Sequence, residues 1–442
     1  MNTQCTMPPE ARRPRFRLLL AICIALACGS ADAAAPVGPV PLVVAAGAAI
    51  TGGGPDAEIV TIDAASPAAQ ADLERALCAS RDRQGRCSDS QPRLIRLSGV
   101  VDYRGADGGV ITARGCVYSD RSCTYKGRQE RILDVMGYCR GKPLIDVSYQ
   151  ASGTHPLLVG SNKTVLGIGT HAGLTGKGLV IKGGARNVIV RNLNISDINE
   201  GVIWGGDAIQ IDDARDISID HDNFARVGRQ FIAVGTHVVS HLLISANLFD
   251  GRSDYGHYCD GRHYWNILFD GPGQSARVEG NWFYRTAGRA PQVETAGPQD
   301  AGGVIHIVNN YYSENSHVGI VTHGQVLAVV EGNDFAGVPA RTGFAPLLAS
   351  KDGMDLAIAP FPDTAGDGSL CRTLLGRRCV ANRAEGWSSD RFRINDATVA
   401  ALRAAPDALE AVRTWLPVTA SRVPVQVSAA AGPQERCSAQ GC

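Results

Sequence analysis

The chain has 442 residues, 44% of them hydrophobic, with 51 glycines and equal numbers of basic and acidic residues, 43 of each. That length exceeds an ordinary single domain unless the fold grows along an axis by repetition, and the composition suits an ordered, turn-rich protein. The absence of a basic excess argues against nucleic acid or an anionic membrane as the main partner, and also against a highly charged polyanion.

The N-terminus reads as a secretory signal over residues 1–33. Arg12, Arg13, Arg15 and Arg17 precede a short apolar run, Leu18 to Ala27, and Ala31-Asp32-Ala33 forms a small-residue cleavage site. The run is too short to span a bilayer. A lipoprotein anchor at Cys28 is the competing reading. Export agrees with the cysteines: three of the 13 fall in the signal, leaving ten for an oxidising compartment. Cys78 and Cys87, Cys371 and Cys379, and Cys437 and Cys442 are close enough to bridge locally, while Cys116, Cys123, Cys139 and Cys259 remain. A zinc site finds no support in C-x-x-C pairs or nearby paired histidines.

Residues 36–60 are rich in Val, Ala and Gly and end in a turn, Thr51 to Pro55. Ser66-Pro67 is expected to open a helix whose apolar side carries Leu73, Ala76 and Leu77. Pro92 to Leu97 alternates as a strand does. An irregular, cysteine-rich stretch then runs to about residue 150.

From Lys163 a repeat sets in: VIVRNLNISD (188–197), ISIDHDNFAR (217–226), LLISANLFDG (242–251), RVEGNWFYRT (277–286), IHIVNNYYSE (305–314) and AVVEGNDFAG (328–337). Each has an alternating apolar run and then, in most cases, Asn followed by an aromatic residue. Asn192, His221, Asn247, Asn281, Asn310 and Asn333 recur at the spacing of solenoid coils. Short, evenly spaced strands without intervening helices predict a parallel β-helix, with a β-sandwich as the alternative. Asn tolerates left-handed backbone angles, and its amide can bond the coil above and below; the aromatic residues would fill the interior. After about residue 340 the repeat fades. Ala397 to Trp415 is expected to form one amphipathic helix stopped by Pro417, followed by coil. The predicted organisation is a β-helix with its N-terminal cap over 34–345 and an extension, 346–442, packed on it.

Within the repeats lies WGGDAIQIDD (204–213), with Asp207 between a glycine pair and an alternating run. Arg229 follows one repeat later in GRQ, and Arg289 further on in GRAPQ. Acid and guanidinium groups on successive strand-like segments point to a catalytic row along one face.

These motifs, together with IDH (219–221), SDY (253–255), CDGRHYW (259–265), GNWFY (280–284), VNNYY (308–312), NKTVLGIG (162–169) and GKGL (176–179), resemble the pectin lyases of the pectate lyase superfamily over roughly residues 90–380. The resemblance implies an all-β, right-handed parallel β-helix and disulfides 116–139, 123–259 and 371–379, with Cys78–Cys87 and Cys437–Cys442 as added local loops. It implies β-elimination in a galacturonan: a base takes the proton on C5, the C4–O4 bond breaks, and an unsaturated sugar end results. Negative charge developing on the carboxyl oxygens must be stabilised. A methyl ester does this more easily than a carboxylate, for which pectate lyases recruit calcium.

By that resemblance Arg289 is the catalytic arginine, proposed as the base. A guanidinium ordinarily stays protonated, so the alternative is that Arg289 binds developing charge while water or hydroxide takes the proton. Asp207 matches a calcium ligand of the pectate lyases, but Gly205 stands where they place a second Asp, and Glu294 where they place a second Arg. Arg229 resembles the arginine that fills the calcium region in pectin lyases, with Asp207 orienting it or a water. No metal and no calcium requirement are therefore expected. Trp204 and Trp265 match the aromatic lining of the cleft, Tyr138 stands at a tryptophan position, and Ser119 replaces another. Gln292 stands where pectin lyases usually have Lys. Asp220 and His221 are expected to be structural, with His221 in the internal stack. Asn162 and Asn194 fit glycosylation acceptors but are expected within strands. No G-x-S-x-G elbow supports a serine hydrolase. The expected protein is a secreted monomer acting on methyl-esterified pectin, with a calcium-dependent pectate lyase or a non-catalytic polysaccharide binder as alternatives.

Overall fold

The computed structural model describes residues 49–118, 123, 128–294, 303–317, 319–323, 327–336, 348–350, 357–360, 367–384, 396–404, 406–435 and 437. The signal segment, Ser119 and Cys442 lie outside the described residues.

Strand pairing builds three stacked faces. The first runs through Leu157–Val159, the start of Leu179–Arg191, the start of Ile209–Asp220, Ile232–Val234, Ile267–Asp270, Gln292–Glu294 and Ile320–His323, each parallel to the next. The second holds Arg93–Ser98, Lys163–Gly167, the ends of the two long strands, Val239–Ser245, Ala276–Glu279, Ile305–Val308 and Ala328–Glu331. The third stacks Val100–Asp102, Gly173–Thr175, Asn194–Ile198, Asn223–Val227, Leu248–Asp250, Trp282–Tyr284, Tyr311–Ser313 and Asp334–Ala336. This is the right-handed parallel β-helix.

Parallel stacking puts equivalent side chains one above another. Val159, Ile181, Ile211, Val234, Phe269 and Val293 form one inward column. Phe224, Phe249, Phe283, Tyr312 and Phe335 form another, with ring centroids 5.3, 4.7, 4.9 and 4.4 Å apart. Each buried ring contributes on the order of 2 kcal/mol of hydrophobic stabilisation. Trp282 and Tyr311, although beside ladder asparagines, stack on each other outside this column.

The asparagine ladder is present, with a register correction. Asn247, Asn281, Asn310, Asn333 and Asn382 link side chain to side chain at 2.9–3.0 Å. Asp220 pairs with Ser245, so the rung preceding Asn247 is Asp222, and Arg191 opposite Asp220 makes the rung before that Leu193. His221 and Asn192 stand one residue earlier, in the left-handed column with Ala246, Gly280, Asn309 and Gly332, all at φ between 52° and 64°. Left-handed turn and hydrogen-bonded rung are therefore adjacent positions. His221 instead bonds Asp220 at 2.8 Å, and Asp220 also receives Arg191 and the Ser245 hydroxyl, so both residues are structural.

The N-terminal helix is Ala69–Leu77; Ser66-Pro67 forms the turn ahead of it, and the Ser66 hydroxyl accepts from Ala68 N–H. Ala69, Leu73, Ala76 and Leu77 cover the open end of the core. The C-terminal extension differs from expectation: Pro406, which has no N–H to donate, divides it into Asp396–Ala404 and Pro406–Arg413, and a further helix spans Val423–Ala430. Leu402, Leu409 and Val412 pack with Leu374, Leu375 and Val329 on the outside of the second face. There Arg377 pairs with Glu331 at 2.6 Å and Arg277 lies 4.0 Å over Trp415. Disulfides join Cys78–Cys87, Cys116–Cys139, Cys123–Cys259 and Cys371–Cys379, and Cys437 is also disulfide-bonded. Asn194 lies in a strand, whereas Asn162 precedes one, at φ 57° and bonded to Asn187. Among the described residues no helix is long and apolar enough to cross a membrane.

Candidate active site

The strands of the first face receive their chain from a set of turns, and those turns carry the site. Ile209, Ile232 and Ile267 are register partners, and Pro291 continues them because Leu268 pairs with Gln292. Two residues ahead of these stand Asp207, Gln230, Trp265 and Arg289. Asp207 and Arg289 thus occupy the same row three coils apart, about 14 Å at the usual strand spacing. Arg229 and Trp204 lie in the turns just before the row.

Asp207 is 3% exposed and both of its carboxylate oxygens are hydrogen-bonded. Its Oδ2 accepts from Arg229 Nη1 at 2.8 Å and from the Gln210 amide at 3.1 Å; Oδ1 accepts from Gln230 N–H at 2.8 Å. Burial pushes the carboxyl above its ordinary range, and the Arg229 cation works against that. Gly205 has no room for a side chain: a Cβ there would lie 2.7 Å from both Asn199 Cβ and the Val202 carbonyl oxygen.

Both site arginines rest on indoles. Arg229 lies 4.0 Å over Trp204, whose other neighbour is the half-exposed Tyr138 ring at 5.8 Å. Arg289 lies 4.5 Å over Trp265 and 5.7 Å from Tyr264. Trp204 and Arg289 both adopt left-handed backbone angles, φ 71° and 47°. A non-glycine residue holds that conformation at a cost of about 1 kcal/mol or more, and here one member of each stack does so.

Around Arg289 the structure gathers residues whose grouping the sequence pattern does not show. Trp265, 5% exposed, donates through Nε1 to Glu130 Oε1 at 3.1 Å. Its ring meets Tyr118, His257 and Tyr264 within 6 Å. Burial pushes the Tyr118 hydroxyl up, and the Arg289 charge opposes it. His263, held down by burial, places Nε2 against the carbonyl oxygens of Arg229 and Trp265 at 3.0 and 2.9 Å, tying two coils of the row together. His263, Tyr264 and Trp265 share the CDGRHYW motif, but Glu130 and Tyr118 come from the irregular N-terminal stretch. Trp265 is therefore set beneath Arg289, its faces taken by protein. Gln292 is 3% exposed, on the outward side of its strand between Leu268 and Val321, and Glu294 follows two residues on. Trp204, Tyr138, Asp207, Arg229, Trp265 and Arg289 fall in one region, which can hold a polymer lying along the row and present a cation to it.

A family described as pectate lyase matches residues 131–237. A probable pectin lyase B of Aspergillus fumigatus is 35% identical over 294 residues, covering 66% of this chain and 74% of that protein. A probable pectin lyase D of Aspergillus flavus is 36% identical over 299 residues, covering 66% and 74%. Among solved structures, the pectate lyase of Acidovorax avenae subsp. citrulli superposes with a TM-score of 0.54 at 16% identity, covering 93% of this chain and 99% of that one.

Proposed function

Since the chain belongs to the pectin lyase family, and is thereby a polysaccharide lyase, we propose that Arg289, Asp207 and Arg229 carry its β-elimination of methyl-esterified galacturonan without calcium. The observation that carries this reading is the row itself: Asp207 is bonded to Arg229, and Arg289 stands three coils along on an indole.

The electrostatics favour the division of roles. Arg229 has a carboxylate partner at 2.8 Å, so the pair is close to neutral and leaves Asp207 Oδ2 occupied by a cation. A calcium site needs several free oxygen ligands, and position 205 has no space for one. Arg289 has no carboxylate partner among the described residues. Its charge is available for the carboxyl oxygens of the sugar losing its C5 proton, where a preorganised donor is worth most. Trp204 and Tyr138 offer ring faces suited to the apolar side of a neutral, esterified sugar. Gln292, neutral and buried, adds hydrogen-bonding capacity without charge. Export of the protein is supported by the N-terminal segment and by the disulfides of the body.

The test compares wild type with Arg289→Lys on highly methylated and on de-esterified pectin, with and without chelator. Release of a UV-absorbing unsaturated product from methylated pectin, insensitive to chelator and lost in the variant, is expected. Activity confined to de-esterified polymer and abolished by chelator would overturn the calcium-free reading.

A further inference from the structure

The row that carries Asp207 and Arg289 continues in the other direction. Leu179 pairs with Ile209 and Leu157 with Leu179, so Lys177 and His155 occupy the equivalent positions one and two coils before Asp207. Beside them is a pocket of about 350 Å³, floored by Leu158 and Val180, outward residues of two strands that lead to Gln210 in the active-site coil. Lys182 and Arg81, the latter from the loop closed by Cys78–Cys87, complete its basic lining, and Glu74 is its acid.

The charges in this lining are unequally satisfied. Lys177 is buried, with Nζ 2.8 Å from Asp107, 3.8 Å from Glu74 and 5.0 Å over Tyr103. Lys182 and Arg81 are exposed, and neither has an ion pair among the described residues. An aliphatic floor flanked by two cations without an ion pair, Lys182 having Asp212 as its register partner on the next coil, suits a ring with one apolar face and one carboxylate. From Lys177 to Arg289 is four strand spacings, about 19 Å. A polymer bound along the row reaches both.

We propose that this pocket is a distal subsite for a galacturonate unit bearing a free carboxylate, in a pectin chain whose esterified stretch lies at Arg289. The proposal rests on the polysaccharide-lyase reading of the row. It joins two preferences in one groove: a neutral sugar at the reacting end, an anionic one at the far end. The subsite favours partly de-esterified chains through solvent-exposed cations, so its contribution is modest and screened by salt.

The experiment measures KM and kcat on fully methylated and on partly de-esterified pectin for wild type, Lys182→Glu, Arg81→Glu and the double variant, at low and high salt. Calorimetric binding of a de-esterified oligogalacturonate to the Arg289→Ala protein, with and without Lys182→Glu, is measured alongside. For the double variant the KM on partly de-esterified pectin is expected to rise about tenfold, or about 1.4 kcal/mol, at low salt. kcat and the fully methylated substrate should be unaffected, and the difference should shrink at high salt. Equal KM changes on both substrates, or none, overturn the subsite. If no variant and no wild type releases unsaturated product, the lyase reading fails. The pocket is then judged by binding alone, where undiminished affinity in Lys182→Glu refutes it.

Discussion

Asp222→Asn is expected to stabilise the protein, by an amount that grows with pH. Asp222 holds a rung of the asparagine ladder, and its Oδ1 accepts from Leu193 N–H at 2.7 Å as a ladder amide oxygen would. Its Oδ2 is buried with no hydrogen-bond partner. In each later coil that second atom is an amide nitrogen donating to the carbonyl three residues before the preceding rung: Asn247 to Ile219, Asn281 to Ile244, Asn310 to Val278, Asn333 to Ile307. Applied to Asp222, the same offset selects the Val190 carbonyl. Burial drives the Asp222 carboxyl well above its ordinary range, and neighbouring Asp220 adds to the shift. The folded chain therefore keeps a proton that the unfolded chain releases above about pH 4. Stability from this group is complete below the unfolded value and falls as pH rises towards the folded one. The slope is about 1.4 kcal/mol per pH unit for one proton. Asparagine supplies the missing donor at every pH and has no such slope. Guanidinium unfolding of both proteins from pH 4 to pH 8 measures the difference; other titrations are common to both and cancel. Near pH 4 the two should be similar, since a protonated carboxyl can itself donate to Val190. A difference that does not change with pH, or a variant less stable at pH 8, refutes the assignment.

Two further outcomes follow from the same contacts. Asn310→Ala removes the acceptor of Asn281 N–H and the donor to Val278, both buried, and should cost about 3 kcal/mol or more in denaturant unfolding. Asp207→Asn keeps the shape of the side chain but withdraws the charge that holds Arg229. Its kcat/KM on methylated pectin should fall about 100-fold through misplacement of the guanidinium, and an unchanged value would remove Asp207 from the site.

The solenoid is legible in the sequence because its physics is local and repeated: alternating apolar runs, a polar rung, then an aromatic residue two positions on. The register is less legible. A left-handed position and a hydrogen-bonding rung both suit Asn and lie side by side, so Asn192 and His221 look like rungs until strand pairing assigns Leu193 and Asp222 instead. Asp207, Arg229 and Arg289 stand out as charged residues in the turns of a repetitive, largely apolar pattern, and the structure brings Asp207 and Arg289 to one row with Arg229 in the turn just before it. Glu130 and Tyr118 do not, since they reach Trp265 and Arg289 from a segment with no repeat, over sequence separations that no local pattern encodes. The single C-terminal helix fails at Pro406 for a reason visible in the sequence, the missing N–H, which the amphipathic spacing on either side conceals.

The two arginine–indole stacks explain how one scaffold gives two cations different work. Each guanidinium lies 4.0–4.5 Å over a tryptophan, which holds a flexible side chain in place without cancelling its charge. The coil then decides the rest. At Arg229 the row supplies Asp207, and the cation is paired; at Arg289 the row residue one coil earlier is Trp265, and no carboxylate among the described residues pairs with it. Because every coil repeats the same backbone, a single acid placed in one turn neutralises one arginine and leaves the other charged, three coils from that acid. On the proposed reading, a polymer lying along the row would meet a nearly neutral pair and then a full positive charge, at the sugar whose elimination is assigned to Arg289.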